Sequence, residues 1–522
     1  MTLNLAEDRN SSHGEPRVLA VVTKNSVANL TKIAALSITV FLPPPILVRV
    51  LDKPSYATWV LILQISTYVA LFDGSIQLAI SRFVARSRGL NDDRYMGLML
   101  SSAGIIMLGA AFVTAALAVL GSWQLNHLFS SIPSSIELDA QHAFLIFGLS
   151  LAAALPFSTL AGAFLGLQMN EVNALAGSVG RVFGVIGATW AAYRHHSLQV
   201  MALWMASGYL IQATLYLVTW QRLKLHGLFR LAHVTSAAVR EFTGFCYAIL
   251  VSQLGGVLIT GLDMPIVVAF DFHSAAYYAV AATVSTMLTV PQSAVVNTLI
   301  PVAAGLSATS NPDRLGAFVI KSTRYSTAIL CLIILPLLWG MGPFLRLWVG
   351  LDYARHAVSM AVLLVLAHFI RLTLLPYAGA GFAAGQQHRM LVSPLGEGIV
   401  NLLCSLVGAR YLGAVGVALG TVVGACVGVL LHFTNSMPRT DEIHFHRGKL
   451  ILTGILRPMI CCLPAFLIVL LAASRASNQF MLAAFVCGGE MLALLILWKF
   501  NFRAEERNEI IEHFAKRRRL TS

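Results

Sequence analysis

Of the 522 residues, 57% are hydrophobic and 11% charged, with a mean hydropathy of +0.75, against about 25% charged in an ordinary soluble domain. This balance excludes a soluble globular protein. Apolar runs of about 20 residues, long enough to cross a bilayer as helices, recur from Val27 to Leu497.

The first 24 residues are polar and have no apolar core ahead of a small-residue cleavage site, so the first span is read as an uncleaved signal anchor. In chain order the expected spans are 26–48, 56–81, 96–121, 142–166, 170–193, 200–221, 242–270, 275–303, 323–348, 357–384, 390–410, 412–434, 450–473 and 478–499. The fold class is an all-α polytopic integral membrane protein with about 14 transmembrane helices. Its expected parts are an N-terminal segment 1–25, a six-helix lobe 26–222, an inter-lobe link 223–241 and a second six-helix lobe 242–434. A link 435–449, two additional helices within 450–499 and a basic tail 500–522 complete the chain.

Lysine and arginine set the orientation, because positively charged links stay in the cytoplasm. The links on the side of the termini hold 25 of them and the opposite links hold 7, with Lys32, Arg181, Arg371 and Arg457 inside spans. Both termini are therefore expected to be cytoplasmic. The same asymmetry accounts for the net charge of +13, and no nucleic-acid partner is expected. The run Lys516-Arg517-Arg518-Arg519 would lie near anionic headgroups. The seven cysteines all fall inside apolar runs without metal-ligand spacing and read as small packing residues.

An ungapped shift of 219 positions superposes Asp52 on Asp271, Ser55 on Ser274, Ala57 on Ala276, Ser66 on Ser285 and Thr67 on Thr286, and Pro45-Ile46 meets Pro265-Ile266 with one residue of slippage. Each copy sits where a half of the chain would begin. Two related bundles with a site between them is a common transporter design, so the two six-helix lobes are expected to be pseudo-symmetric.

Ionisable side chains inside hydrocarbon are expensive and mark partners or water-filled cavities. Five are expected well inside spans: Lys32, Arg181, Asp263, Arg371 and Glu397. Arg181 and Arg371 fall near the middle of spans five and ten, and a guanidinium fork suits phosphate oxygens. The plainer alternative ties each arginine to a carboxylate or to backbone carbonyls as a strut between helices. Asp263 stands between Gly261 and Pro265, where the helical ladder is weakened. Three readings remain open for it: holding Na+ or a proton, pairing with an arginine, and capping a kink. Pro43-Pro44-Pro45 makes a similar break in span one. Asp73, with Arg82 and Arg86 beyond it, reads as an interfacial clamp at the cytoplasmic end of span two.

No phosphate-binding loop, H-E-x-x-H, nucleophile elbow or paired-cysteine metal pattern occurs, and the largest outward link, Ser122 to Gln141, is short. An enzyme is not expected.

Several stretches carry a resemblance: Leu51-Asp52-Lys53-Pro54-Ser55-Tyr56-Ala57, Phe72-Asp73-Gly74 followed by Ser81-Arg82-Phe83-Val84-Ala85, Leu262-Asp263 with Ala276-Tyr277-Tyr278, and Tyr411 to Ala418. Through them nearly the whole chain resembles the multidrug/oligosaccharidyl-lipid/polysaccharide (MOP) exporter superfamily, with its MATE-like fold, in particular the polysaccharide branch of Wzx-type O-antigen and exopolysaccharide flippases. The chain departs from the commoner family wording at Phe72-Asp73-Gly74-Ser75 and Gly385-Gln386-Gln387. The resemblance implies two lobes around a central cavity and transfer of an undecaprenyl-diphosphate-linked glycan across the bacterial inner membrane by alternating access, for O-antigen, exopolysaccharide or capsule synthesis. On that view Arg181, Arg371 and Lys32 attract the diphosphate or acidic sugars. Asp263, Glu397 and Asp73 serve coupling to Na+ or H+ or charge pairing. Membrane lipids, a polysaccharide polymerase and chain-length proteins are the further expected partners. The alternatives are a cation-coupled multidrug exporter, a peptidoglycan-precursor flippase, and a non-transporting scaffold of a polysaccharide assembly complex.

Overall fold

The computed structural model describes residues 32–223, 234–308, 312–473, 479–508 and 512. The N-terminal segment 1–25, most of the 223–241 link and the basic run 516–519 lie outside them. No strand occurs among the described residues. In hydrocarbon every backbone N–H and C=O needs an internal partner, and a helix supplies one within its own segment.

The helices are α1 Lys32–Val50, α2 Lys53–Gly89, α3 Asp93–Trp123, α4 Glu137–Gly166, α5 Asn170–His195 and α6 Leu198–Arg222. Then come α7, which runs as Ser236–Gly256 and, after a π turn, Asp263–Phe270, and α8 Phe272–Ala308. They are followed by α9 Pro312–Trp348 and α10 Leu351–Leu372. The stretch Val392–Leu431 is continuous in hydrogen bonding but breaks at Gly413, where φ is +58°. Its arms, α11 (392–412) and α12 (414–431), fold back on each other. Ser405 Oγ donates to the Val417 carbonyl at 3.3 Å, Gly416 lies against the Gly408 backbone, and Gly424 lies against Asn401. Arg447–Ala472 is α13 and Phe480–Asn501 is α14. Eleven described helical stretches are long and apolar enough to span a membrane, and the hairpin at Gly413 makes two crossings of one of them. This is a multi-pass membrane protein.

The chain divides into two units, Met1–Gln253 and Leu254–Ser522. The division falls within α7, whereas the sequence places the lobe boundary in the link ahead of that helix. In the first unit Ile80, Phe83, Met99, Leu100, Phe164 and Trp220 build a core. In the second, Leu315, Val319, Tyr377, Met390, Ile443 and Leu450 build another.

The internal repeat has a local structural counterpart. Asp52 caps α2, its Oδ1 accepting from the Ser55 N–H at 3.3 Å, and Asp271 caps α8 from the Ser274 N–H at the same distance. An acidic N-cap satisfies a donor that the helix cannot. Both helices are 37 residues long and begin and end at the offset found in the sequence. At 1.5 Å per residue each is about 55 Å long, well beyond a hydrocarbon core of about 30 Å. Arg82, Arg86 and Arg88 fall on the last turns of α2, where such a helix would leave the apolar layer.

The described cysteines are all free thiols. In the proline run of α1, a bend at Leu42 separates the first turns from Pro43–Val50.

Candidate functional site

The second unit holds a buried polar cluster built from five helices, α7, α8, α10, α11 and α12. A π turn, Val257–Gly261, interrupts α7 just ahead of Asp263. Such turns release carbonyls from the helical ladder, and the Asn401 amide takes them up, donating to the Ile259 oxygen at 2.7 Å and the Leu258 oxygen at 3.3 Å. Asp263 opens the next helical segment, where the partial positive charge of a helix N-terminus favours a carboxylate. Its side chain is buried, with 7% of the residue exposed.

Three neutral donors reach this carboxylate. Tyr278 OH donates to Oδ2 at 3.1 Å, Thr421 Oγ1 to Oδ2 at 3.3 Å and Asn401 Nδ2 to Oδ1 at 3.4 Å. All three are at the long end of the hydrogen-bond range. No charged nitrogen among the described residues lies within 4.0 Å of it. Around the carboxylate stand further oxygens. Asn401 Oδ1 and the Val417 carbonyl both lie within hydrogen-bond distance of Ser405 Oγ, at 3.2 and 3.3 Å, and share its single hydroxyl proton, while Thr421 Oγ1 shares its own between Asp263 and the Val417 carbonyl at 3.1 Å.

One turn from Asn401 on α11 sits Glu397, 5% exposed, whose Oε1 accepts from Arg371 Nε at 2.5 Å. Arg371 keeps Nη2 buried with no partner among the described residues, and Asp263 lies within its electrostatic reach. Gly428 of α12 faces the Glu397 carboxylate so closely that a Cβ there would strike it. The structure therefore brings Asp263, Arg371 and Glu397 into one cluster.

Arg181, Asp73 and Lys32 are placed in the first unit. Arg181 is exposed on α5, next to Gly180, which packs against Gly208 of α6. Among the described residues it has no carboxylate partner. Asp73 lies near the middle of α2 and accepts from Gln77 Nε2 at 2.8 Å, while its Oδ1 is buried without a described partner. The expected clamp with Arg82 and Arg86 does not form at Asp73, because those residues start 9 positions further on, about 13 Å along the helix axis. Tyr209 is within electrostatic reach of both Arg181 and Asp73, and the Tyr216 hydroxyl accepts from Gln212 Nε2 at 3.2 Å. Lys32 is exposed on the first described turn of α1, without a described partner.

The sequence reading missed Asn401, Ser405 and Thr421. The available signal was polar residues one turn apart, Asn401 and Ser405, on one face of an apolar helix. It also missed a further intramembrane ionisable group, Glu490 in α14, which has one carboxylate oxygen buried without a described partner and lies near Cys462. No cluster of three His, Cys, Asp or Glu suited to a metal ion occurs among the described residues. The oxygen set around Asp263, carrying one formal negative charge, is of the hard type that suits an alkali cation.

The lipid II flippase MurJ in an inward closed conformation superposes with a TM-score of 0.64 at 15% identity, covering 92% of this chain and 98% of that one. The chain has the fold of the MOP-type transporters. A multidrug resistance MATE family transporter of the MOP superfamily, in an inward-facing conformation, gives a TM-score of 0.61 at 13% identity over 80% of this chain and 94% of its own. The Vibrio cholerae MATE transporter VcmN in the bent form gives 0.57 at 12% identity over 84% and 99%. No protein-family model matches the chain, and no curated protein sequence matches it.

Proposed function

We propose that this chain is a flippase that moves an undecaprenyl-diphosphate-linked oligosaccharide from the cytoplasmic to the outer leaflet of a bacterial inner membrane, for O-antigen, exopolysaccharide or capsule synthesis, and that both its termini are cytoplasmic. The observation that carries the reading is Arg181, an exposed guanidinium on a membrane-spanning helix without a described counterion, in a chain with this transporter fold. A cation left unpaired at such a place is expensive and is matched by an anionic substrate group such as a diphosphate. Lys32 would add a second positive charge on α1.

Movement would follow alternating access, with the head group exposed to one side at a time and the lipid tail left in the bilayer. The carboxylate of Asp263, with Asn401, Ser405, the Val417 carbonyl and Thr421, would hold a coupling Na+. Its chemistry there is to supply the missing countercharge to a buried carboxylate. A proton on Asp263 would neutralise the same charge.

A second reading is supported by the match to the lipid II flippase over 92% of this chain, which extends further than the MATE match over 80%: the substrate would then be a peptidoglycan precursor. A drug exporter is less well supported, since the cations Arg181 and Lys32 favour acidic over cationic cargo. The surrounding polymerase and chain-length proteins belong to the first reading.

The deciding experiment depletes the protein in cells and measures undecaprenyl-diphosphate-linked glycans in each leaflet. Accumulation of a completed surface-polysaccharide repeat on the cytoplasmic face, with viability kept, supports the first reading. Accumulation of lipid II with arrested growth replaces it by the second. Unchanged levels of both overturn the flippase reading.

A further inference from the structure

Arg371 is bonded to one of the two buried carboxylates of the cluster. Glu397 takes its Nε at 2.5 Å, while Asp263 lies beyond the ion-pair distance of 4.0 Å. Glu397 and Asn401 are one turn apart on α11, about 6 Å along the axis, and Asn401 already touches Asp263. The residue that touches Asp263 therefore stands one helical turn from the residue that Arg371 now pairs with, and rotation about the arginine side-chain bonds carries the guanidinium along that turn.

Two features mark the present pairing as one of two arrangements. Arg371 Nη2 is buried with no described partner, so the guanidinium fork is half used at Glu397. Asp263, on its side, is a buried carboxylate held by three long neutral hydrogen bonds, so it lacks a countercharge. A buried ion pair is favourable when its remaining donors and acceptors are satisfied, and here the unsatisfied donor and the under-filled acceptor lie on neighbouring elements.

We propose that Arg371 is a built-in competitor for the cation site at Asp263, alternating between Glu397 and Asp263. With a cation at Asp263, Arg371 is repelled and held by Glu397. Without one, Arg371 moves to Asp263 and releases Glu397, which alters the contact between α10 and α11. Glu397 is thus the parking place that keeps the site open, and it acts on cation binding only through Arg371. The inference rests on the cation-coupling part of the reading above and is independent of which lipid is carried.

The test measures radioactive Na+ binding to the purified full-length protein in detergent, with Na+-dependent thermal stabilisation against choline as a second readout. Glu397→Gln, which removes the parking place, is expected to weaken Na+ binding about fivefold or more, the lower range of coupling between interacting sites. Arg371→Gln, which removes the competitor, is expected to bind Na+ at least as tightly as the unaltered protein, and Glu397→Gln in the Arg371→Gln background is expected to be silent. A purely structural ion pair predicts weakened binding in both single variants, and that result overturns the proposal. Unchanged Na+ affinity in Glu397→Gln overturns it as well, while leaving cation coupling intact. If Glu397→Gln alone does not fold, Arg371→Gln and the double variant decide: lower Na+ affinity in either than in the unaltered protein overturns the competition. Absence of Na+ binding to the unaltered protein overturns both the competition and Na+ coupling, without bearing on the lipid-flippase reading.

Discussion

α2 and α8 are the same length and start from the same aspartate cap, yet the residue at the matching internal position differs: Asp73 in α2, Gln292 in α8. Gln292 is fully buried and uses its amide between helices, donating to Ser326 of α9 and, at 3.3 Å, to the Leu372 carbonyl at the end of α10. Asp73 accepts from Gln77 of its own helix, with Ser158 of α4 beside it, and one of its oxygens is buried without a described hydrogen-bond partner. The two copies of one design have therefore taken different tasks. In the second unit this position ties helices together, and the charges sit elsewhere, Arg371 paired with Glu397 and Asp263 held by neutral donors. In the first unit Asp73 and Arg181 have no described ion-pair partner, the aspartate carrying a buried oxygen and the arginine lying exposed on α5.

The comparison breaks most sharply at Arg181. Arg181→Ala is expected to lower glycan export about tenfold or more, equivalent to about 1.4 kcal/mol, at a normal protein level and with an unchanged thermal midpoint. Export assayed in a complemented deletion strain checks this, and full activity would remove Arg181 from the site. In the second unit the largest effect is expected on stability. Gly428→Ala would push a methyl group into the Glu397 carboxylate, and overpacking of this kind costs about 1–3 kcal/mol, measurable as a lowered midpoint in detergent.

The Asp73 and Gln292 pair sharpens the contrast directly. Gln292→Ala is expected to destabilise by about 1 kcal/mol through loss of its inter-helix hydrogen bonds. Asp73→Asn, which keeps shape and removes charge, should leave the midpoint nearly unchanged and alter transport. The reverse pattern in thermal unfolding and export would show that the two positions have not diverged as their partners imply.

The smallest expected effect lies outside the membrane-spanning segments. Glu506 packs its carboxylate on Arg324 of α9, with Lys321 at 3.6 Å and the Arg503 N–H at 2.8 Å, and Phe502 stacks on Tyr325 at 5.3 Å between ring centres. Burial by itself raises the pKa of Glu506. The Arg503 N–H, the Tyr325 hydroxyl and the Arg324 guanidinium outweigh it and hold the pKa below the ordinary value of 4.5. A carboxylate depressed in the folded state contributes stability that is present above its unfolded pKa and is lost as pH falls through the folded value. Acid unfolding of Glu506→Gln below about pH 4.3 should accordingly be shallower than that of the unaltered protein, as followed by midpoint against pH.

The number and kind of elements were legible in the sequence because hydrocarbon leaves a chain little choice: long apolar runs must be helices. The repeat was legible through Asp52 and Asp271, since a cap is a local interaction between residues three apart. Asp263 and Glu397 stood out because a charge in an apolar run is conspicuous by itself. Asn401, Ser405 and Thr421 did not, since a neutral polar side chain in a membrane helix becomes informative only when its neighbours on other helices are known. Asp73 was placed with the arginines that follow it because they are near in sequence, whereas the helix carries them more than two turns away.

By itself the sequence determined an all-helical membrane protein, its repeat and the charged residues in its spans, all of which follow from composition, periodicity and contacts between near neighbours. The pairing of Arg371 with Glu397 and the isolation of Asp263 among oxygens were decided only by the tertiary structure. Gly413 folds α11 and α12 together, the π turn opens α7, and residues over a hundred positions apart meet where a buried charge needs a partner.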